Sequence, residues 1–349
     1  MIHPLSSIAA SLIDRGSAVR PATPPVRMIP GTWLVTMLLV SFAVLAVMMA
    51  ATGLKIDPFA TDDAPFYVCG LIAAALRFGY RHPRTRLQRA LRDGAEYYAL
   101  ITLVTLIGAV ASYPCAAATH GFVDARLQRM DVMLHFDWLA WYRTVAAHHS
   151  LQLLGRAAYQ SIYVTPAIFL AYLAWTNRRA EARAFIATFW LAAIIALAMF
   201  HFMPAVGPLA YLWHGSVPYM PESALWQPEL IPALRLHAIH YVDIGALRGL
   251  VSAPSFHTTA AMLYIFGAWR YPVLRWPVLA INVAMLLSTP VEGTHYLIDM
   301  VIGAFVAFAA MALAAEVNLL LWRHRPAAVV NGVVLDRQSG GVASGASGL

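Results

Sequence analysis

The sequence has little charge for its length. Charged residues make up 12% of its 349 residues, about half of the share that is usual in soluble domains. Hydrophobic residues make up 60%, and the mean hydropathy is +0.64. This small number of charged side chains cannot cover the surface of a soluble protein of this size. We therefore expect most of the chain to lie in lipid.

Lysine and cysteine are also nearly absent. Only one of the 24 basic residues is a lysine, Lys55, and the basic residues are scattered through short loops. This distribution argues against nucleic-acid binding and favours a role in membrane topology. The two cysteines, Cys69 and Cys115, each lie inside an apolar stretch, so neither a disulfide framework nor a thiolate metal site is predicted.

Long apolar runs dominate the chain. A span needs roughly 20 apolar residues to cross a hydrocarbon core of about 30 Å. The candidate runs are 32–52, 64–80, 95–118, 158–176, 184–203, 256–269, 273–289 and 295–322. They predict an all-α, polytopic transmembrane helix bundle of about eight spans, the sixth of them a short or tilted helix.

The basic residues predict the orientation of this bundle. With eight spans both termini lie on one side, and 17 of the 24 basic residues fall on that side against 7 on the other. The positive-inside rule then places the N-terminal tail 1–30 and the disordered tail 323–349 in the cytoplasm. The two long loops, 119–157 and 204–255, are expected on the non-cytoplasmic face of the plasma or inner membrane.

Two short polar motifs begin the sixth and eighth runs. The first is Pro-Ser-Phe-His at 254–257, and the second is Ser-Thr-Pro-Val-Glu-Gly-Thr-His-Tyr-Leu-Ile-Asp at 288–299. One pair of crossings separates them, so both are expected on the same outer face. Their side chains can therefore meet, although they are far apart in the sequence.

The residue types in these motifs suit phosphoryl transfer. His295 and Asp299 are four residues apart, so they share a helix face, and the carboxylate can fix the imidazole tautomer and leave the other nitrogen free as a nucleophile. His257 can protonate a leaving oxygen, while Ser255 and the N–H groups of its helix start can hold phosphate oxygens. Ionisable groups near lipid are costly and are usually functional, which favours an active site over isolated polar residues.

The motifs resemble the second and third signature motifs of the type-2 phosphatidic acid phosphatase superfamily. The stretch His-Tyr-Leu-Ile-Asp at 295–299 is especially similar to its inositol phosphorylceramide synthase and sphingomyelin synthase branches. The turn Met-Pro-Ala-Val-Gly-Pro at 203–208 looks like a segment of the inositol phosphotransferase branch. The resemblance implies a six-helix catalytic core over 95–322, preceded by two extra transmembrane helices over 31–94.

By the same resemblance, His295 forms a phosphohistidine, Asp299 is its partner, and His257 acts first as acid and then as base. The substrates implied are membrane lipids, namely a phosphate or phosphodiester donor and a lipid hydroxyl acceptor, with no cofactor and no metal. Glu292, three residues before His295, either contacts a polyol acceptor or positive headgroup, or caps the helix start.

The chain departs from the superfamily pattern in its arginines. Neither the basic Lys-x6-Arg-Pro motif nor an arginine after the serine of the third motif is present, and Thr289 stands at the latter position. Arg248 is the best substitute for the missing cation, and Arg235 is the second. Because the phosphotransferase branches lack these arginine motifs too, the departure favours transfer over hydrolysis.

Three alternatives to a lipid phosphotransferase remain open. Within the same fold, a lipid phosphate phosphatase would pass the phosphoryl group to water. A metalloenzyme would use the two histidines and the carboxylate as a metal triad. A transporter without catalysis would be favoured by midspan charges or paired broken helices, and the sequence shows neither.

Overall fold

The computed structural model describes residues 26, 28–57, 63–323, 329–330 and 333–334. Helices dominate this part of the chain, and only two pairs of two-residue strands accompany them. The prediction of an all-α polytopic bundle is confirmed. The elements are α1 (Gly31–Thr52), β1 (Lys55–Ile56), α2 (Ala64–Gly79), α3 (Arg86–Ala117), α4 (Asp124–Met133), α5 (Trp138–Ala147), α6 (His149–Trp175), α7 (Arg179–Phe202), α8 (Pro208–Leu212), α9 (Gln227–Arg235), β2 (Tyr241–Val242), α10 (Phe256–Trp269), α11 (Pro272–Glu292), α12 (Leu297–Arg323), β3 (Val329–Val330) and β4 (Val333–Val334).

Six of the helices in the described part are long and apolar enough to cross a membrane, namely α1, α3, α6, α7, α11 and the 297–320 part of α12. The two remaining predicted runs form shorter helices, α2 with 16 residues and α10 with 14. Most of the predicted tails, 1–30 and 323–349, lies outside the described residues.

Two long helices begin about nine residues before their apolar runs. α3 begins at Arg86 because Thr85 and Gln88 form a capping box, in which the Thr85 hydroxyl accepts from Gln88 N at 3.1 Å and the Gln88 side chain accepts from Thr85 N at 3.3 Å. α6 begins at His149, about nine residues before the apolar run. The predicted loop 119–157 therefore holds two short helices, α4 and α5, and the start of α6.

The main bundle core contains buried residues of α1, α3, α6, α7, α10, α11 and α12. α11 packs against α6 and α10, and α10 packs in turn against α12 and α7. Aromatic rings fill the contact between α6, α7 and α10, with Phe185 between Phe169 and Tyr264. This packing brings the starts of α10 and α12 and the end of α11 to one end of the bundle.

The opposite end of the bundle is closed by a network of ion pairs. Arg183 of α7 pairs with Glu96 of α3, which also pairs with Arg77 of α2 at 3.3 Å. Arg179 lies within 3.5 Å of Asp93 and 3.4 Å of Glu96. These pairs fasten α2, α3 and α7 together at the end where the sequence predicts the cytoplasmic arginines.

Candidate active site

The two histidine motifs are joined directly at their helix starts. The backbone N–H of Ser255 donates to the carbonyl oxygen of Asp299 at 3.2 Å, and the Thr259 hydroxyl donates to the carbonyl oxygen of Gly303 at 2.8 Å. A Cβ atom at Gly303 would overlap the carbonyl oxygen of Ser255. Glycine at this position therefore lets α12 approach the start of α10 closely enough for the motifs to meet.

His295 and Asp299 form a buried pair. His295 Nδ1 lies 3.1 Å from Asp299 Oδ1, and the two side chains are 4% and 1% exposed. The atoms are at hydrogen-bonding distance but not aligned as in a well-formed hydrogen bond, and neither has another partner in the described part of the chain. Catalytic hydrogen bonds are often loose without substrate. The remaining imidazole nitrogen, Nε2, is turned away from the carboxylate.

The backbone holds Asp299 in place through its second oxygen. Asp299 Oδ2 accepts from the N–H of Tyr296 at 2.9 Å. One carboxylate oxygen is thus fixed by the backbone while the other faces the imidazole. An ionised carboxylate can only accept, so a hydrogen bond between these two groups requires the His295 proton on Nδ1.

His257 faces His295 across a small gap. The two ring centroids are 6.4 Å apart, with an angle of 55° between the planes. The other side of His257 is covered by Tyr159 of α6, whose ring lies parallel to the imidazole at a centroid distance of 3.9 Å and an angle of 15°. A phosphorus atom bound to His295 would therefore have a second imidazole nearby.

Two buried aspartates of α4 hold the segment that carries His295. Asp131 accepts from the N–H groups of Leu297 and Ile298 at 2.9 and 2.8 Å. Asp124 accepts from the Tyr296 hydroxyl at 3.0 Å and also from two N–H groups of the turn 203–208. Burial raises the pKa of both carboxyl groups, although these donors favour the ionised form. Sequence reasoning missed both residues, since nothing in their local sequence marks them as partners of the second motif.

The turn 203–208 packs against the residue before His295. Thr294 has a φ of +48°, and Gly207 has a φ of +91°. A Cβ atom at Gly207 would lie 2.8 Å from the carbonyl oxygen of Thr294. A positive φ is unusual for a β-branched residue, and such backbone strain is concentrated at functional sites.

A second polar network fastens the loop between α8 and α9 to the same end of the bundle. The Tyr219 hydroxyl donates to Glu292 Oε1 at 2.7 Å and accepts from Arg156 Nε at 3.1 Å. The Tyr142 hydroxyl of α5 donates to the Tyr219 carbonyl oxygen at 2.8 Å. Burial and the hydrogen bond to Glu292 raise the pKa of the Tyr219 hydroxyl to about 12, so this hydroxyl remains a donor.

The other predicted site residues occupy defined positions. Ser255 is the N-cap of α10, where its hydroxyl accepts from Thr258 N at 3.4 Å. Glu292 is 1% exposed and, besides Tyr219, accepts from the N–H of Glu222 at 3.1 Å. The Glu292 carboxylate is therefore engaged by the loop.

The two predicted arginines lie between α7 and α10, Arg235 at the end of α9 and Arg248 in the segment that follows β2. The guanidinium of Arg248 lies 4.0 Å from the centre of the Trp226 ring. That of Arg235 donates to the Thr119 hydroxyl at 2.8 Å and to the Gly121 carbonyl oxygen at 2.7 Å. Within the described residues, no hydrogen bond or ion pair joins either arginine to His257 or His295.

One alternative from the sequence is a metal centre formed by the two histidines and the carboxylate. Among the residues that the structure describes, no three histidine, cysteine, aspartate or glutamate side chains are grouped so that they could hold a metal ion.

Comparison with known proteins gives one family. The family model described as the PAP2 superfamily matches residues 125–313, a range that contains α5 to α11, both histidine motifs and most of α4 and α12. Neither a curated protein nor a solved structure matches the chain.

Proposed function

Because the chain belongs to the PAP2 superfamily, we propose that it is a membrane-embedded lipid phosphotransferase that works through a phosphohistidine on His295. Membership in the superfamily indicates an enzyme of the phosphatase or phosphotransferase type. The observation that carries the proposal is the buried His295–Asp299 pair, with its Nδ1 to Oδ1 distance of 3.1 Å, facing a second imidazole.

The proposed first step moves the phosphoryl-alcohol headgroup from the donor lipid to the enzyme. Nε2 of His295 attacks the phosphorus atom, the bond from phosphorus to the lipid oxygen breaks, and protonated His257 gives its proton to that oxygen. The Asp299 carboxylate stabilises the positive charge that develops on the His295 ring. The products are a lipid alcohol and a phosphohistidine, with His257 neutral.

The second step returns the enzyme to its starting state. The hydroxyl of an acceptor lipid gives its proton to neutral His257 while its oxygen attacks the phosphorus atom. The bond from phosphorus to His295 then breaks, and the headgroup, for example phosphoinositol, is carried by the acceptor. Arg248 is the proposed cation for the developing phosphate charge, because it is exposed and forms no ion pair within the described residues. Ser255 and Arg235 are proposed as weaker phosphate contacts.

Two features favour transfer over hydrolysis. The arginine motifs that are typical of the phosphatases are absent from the sequence. In addition, the loop between α8 and α9 is held at the site end by the hydrogen bonds of Tyr219 with Glu292 and Arg156. A covering loop of this kind would limit the access of water to a phosphohistidine and admit a lipid hydroxyl from the membrane.

We expect the purified protein to transfer more headgroup than it hydrolyses. The assay supplies a labelled phosphoinositide as donor with ceramide or diacylglycerol as acceptor, and quantifies labelled product lipid against free headgroup phosphate. His295→Asn protein is the blank. Rapid hydrolysis of phosphatidic acid or an isoprenyl pyrophosphate, with no headgroup gained by any acceptor, would show that the protein is a phosphatase instead.

The histidine end of the bundle is proposed to face away from the cytoplasm. This orientation rests on the excess of basic residues at the other end. We expect Ser150→Cys and Met220→Cys to react with an impermeant thiol reagent in intact cells, and Ala180→Cys to react only after permeabilisation. Both native cysteines are replaced first. The reverse labelling pattern would invert the topology.

A further inference from the structure

The N-terminal half of α6 forms a third side of the site. Tyr159 is 9% exposed, and its ring lies flat on the His257 imidazole at 3.9 Å. The same ring borders the second motif, since a Cβ atom at Gly293 would lie 3.0 Å from Tyr159 Cε2. Tyr159 thus touches His257 and lies beside the segment that leads to His295.

A parallel ring has two effects on an imidazole. The tyrosine ring restricts rotation of the imidazole about its χ2 angle, because a rotated imidazole would collide with the tyrosine ring. It also favours the protonated form, because the negative face of an aromatic ring attracts a cation. Among the described residues, the titratable groups near this stacked pair include His295, Asp299, Glu292, Glu222 and Tyr163. None of these five stacks flat on the His257 imidazole as the Tyr159 ring does.

We propose that Tyr159 is a positioning residue that holds the His257 ring in plane and stabilises its protonated form for the transfer of a proton to the leaving lipid oxygen. The inference rests on the acid role of His257 in the proposed function. The hydroxyl of Tyr159 is not required by this role, because the aromatic face alone contacts the imidazole. The aromatic face and the hydroxyl can therefore be separated by substitution.

The test compares Tyr159→Leu with Tyr159→Phe. Without the aromatic face, we expect kcat to fall by about 10- to 100-fold with little change in KM, and phenylalanine to restore it to within about threefold. The alkaline limb of the rate profile, where His257 loses its proton, should move to lower pH in Tyr159→Leu only. Tyr98→Leu, which removes a 47% exposed tyrosine of α3 away from this stack, is the matched control and should behave like the wild type.

Two further measurements separate this inference from the proposed function. In the His257→Ala background, Tyr159→Leu should cause no additional loss, because its effect passes through His257. NMR titration of the His257 ring reports on the stack without any turnover, and its midpoint should fall in Tyr159→Leu. If Tyr159→Leu does not fold, Tyr159→Met takes its place, since methionine fills irregular space. An unchanged midpoint and an unchanged pH profile would overturn the role of Tyr159, whereas a wild-type protein without transfer or hydrolysis would overturn the proposed function.

Discussion

His295→Asn is expected to lower the rate of headgroup transfer by roughly 10⁴- to 10⁶-fold, as removal of a catalytic nucleophile does in other covalent mechanisms. Asparagine keeps a polar group that can still meet Asp299, but it offers no nitrogen lone pair that can attack phosphorus. The transfer assay gives the rate. Labelled protein provides a second readout, because only the wild type should retain label in an acid-labile form after a brief reaction with donor.

The control for this variant is His201→Asn, which changes an exposed histidine at the end of α7. Its rate should equal that of the wild type, and both variants should have the thermal stability of the wild type. Treatment with EDTA should leave the wild-type rate unchanged. Activity that survives in His295→Asn, or that is lost on chelation and restored by a metal ion, would show that His295 is not the nucleophile.

The sequence predicts the residues that meet at the site better than it predicts what holds them there. The four-residue spacing of His295 and Asp299 predicts that the two side chains lie close together, and Nδ1 and Oδ1 are 3.1 Å apart. The prediction that they share a helix face is wrong, because α12 begins at Leu297 and His295 lies just before it. The pairing of the two motifs follows from an even number of crossings. Both arguments need only local spacing and topology, which a single sequence contains.

The supporting residues depend on long-range contacts that no local pattern encodes. Asp131 bonds to residues more than 160 positions later in the chain. Tyr159 lies in an apolar run, where an aromatic residue ordinarily indicates packing, and its contact with His257 depends on how α6 lies against α10 and α11. The roles of such residues become visible only after the helices are assembled.

The short helices α4 and α5 were also beyond prediction from hydropathy. They have 10 residues each, too few to give a span signal, and hydropathy predicts only a loop at their position. Their buried side chains point toward the bundle, and Trp138 of α5 donates to the carbonyl oxygen of Pro290 at 2.8 Å. The loop that the sequence predicts between two spans is therefore part of the support of the site.

Asp299→Asn is expected to lower kcat by about 10⁴-fold, the size of the loss when a carboxylate that orients a catalytic histidine is replaced by its amide. The structure gives the reason. Asp299 Oδ2 accepts from Tyr296 N at 2.9 Å while Oδ1 faces His295 Nδ1. An asparagine has one oxygen and one NH₂ group in these two places. If the oxygen keeps the Tyr296 N–H, the NH₂ group faces Nδ1 and forces the proton onto Nε2, the atom that must attack phosphorus.

The measurement is kcat and KM for headgroup transfer, together with the ¹⁵N shifts of the His295 ring, which report the tautomer. KM should change little, since Asp299 is fully buried and its two oxygens face His295 and the Tyr296 N–H. Asp137→Asn is the matched control, because Asp137 caps α5 through Ala140 N at 3.0 Å and asparagine caps a helix equally well. If Asp299→Asn kept the proton on Nδ1 and most of the wild-type rate, the carboxylate would not be what orients His295, and the attack by Nε2 would lose its structural basis.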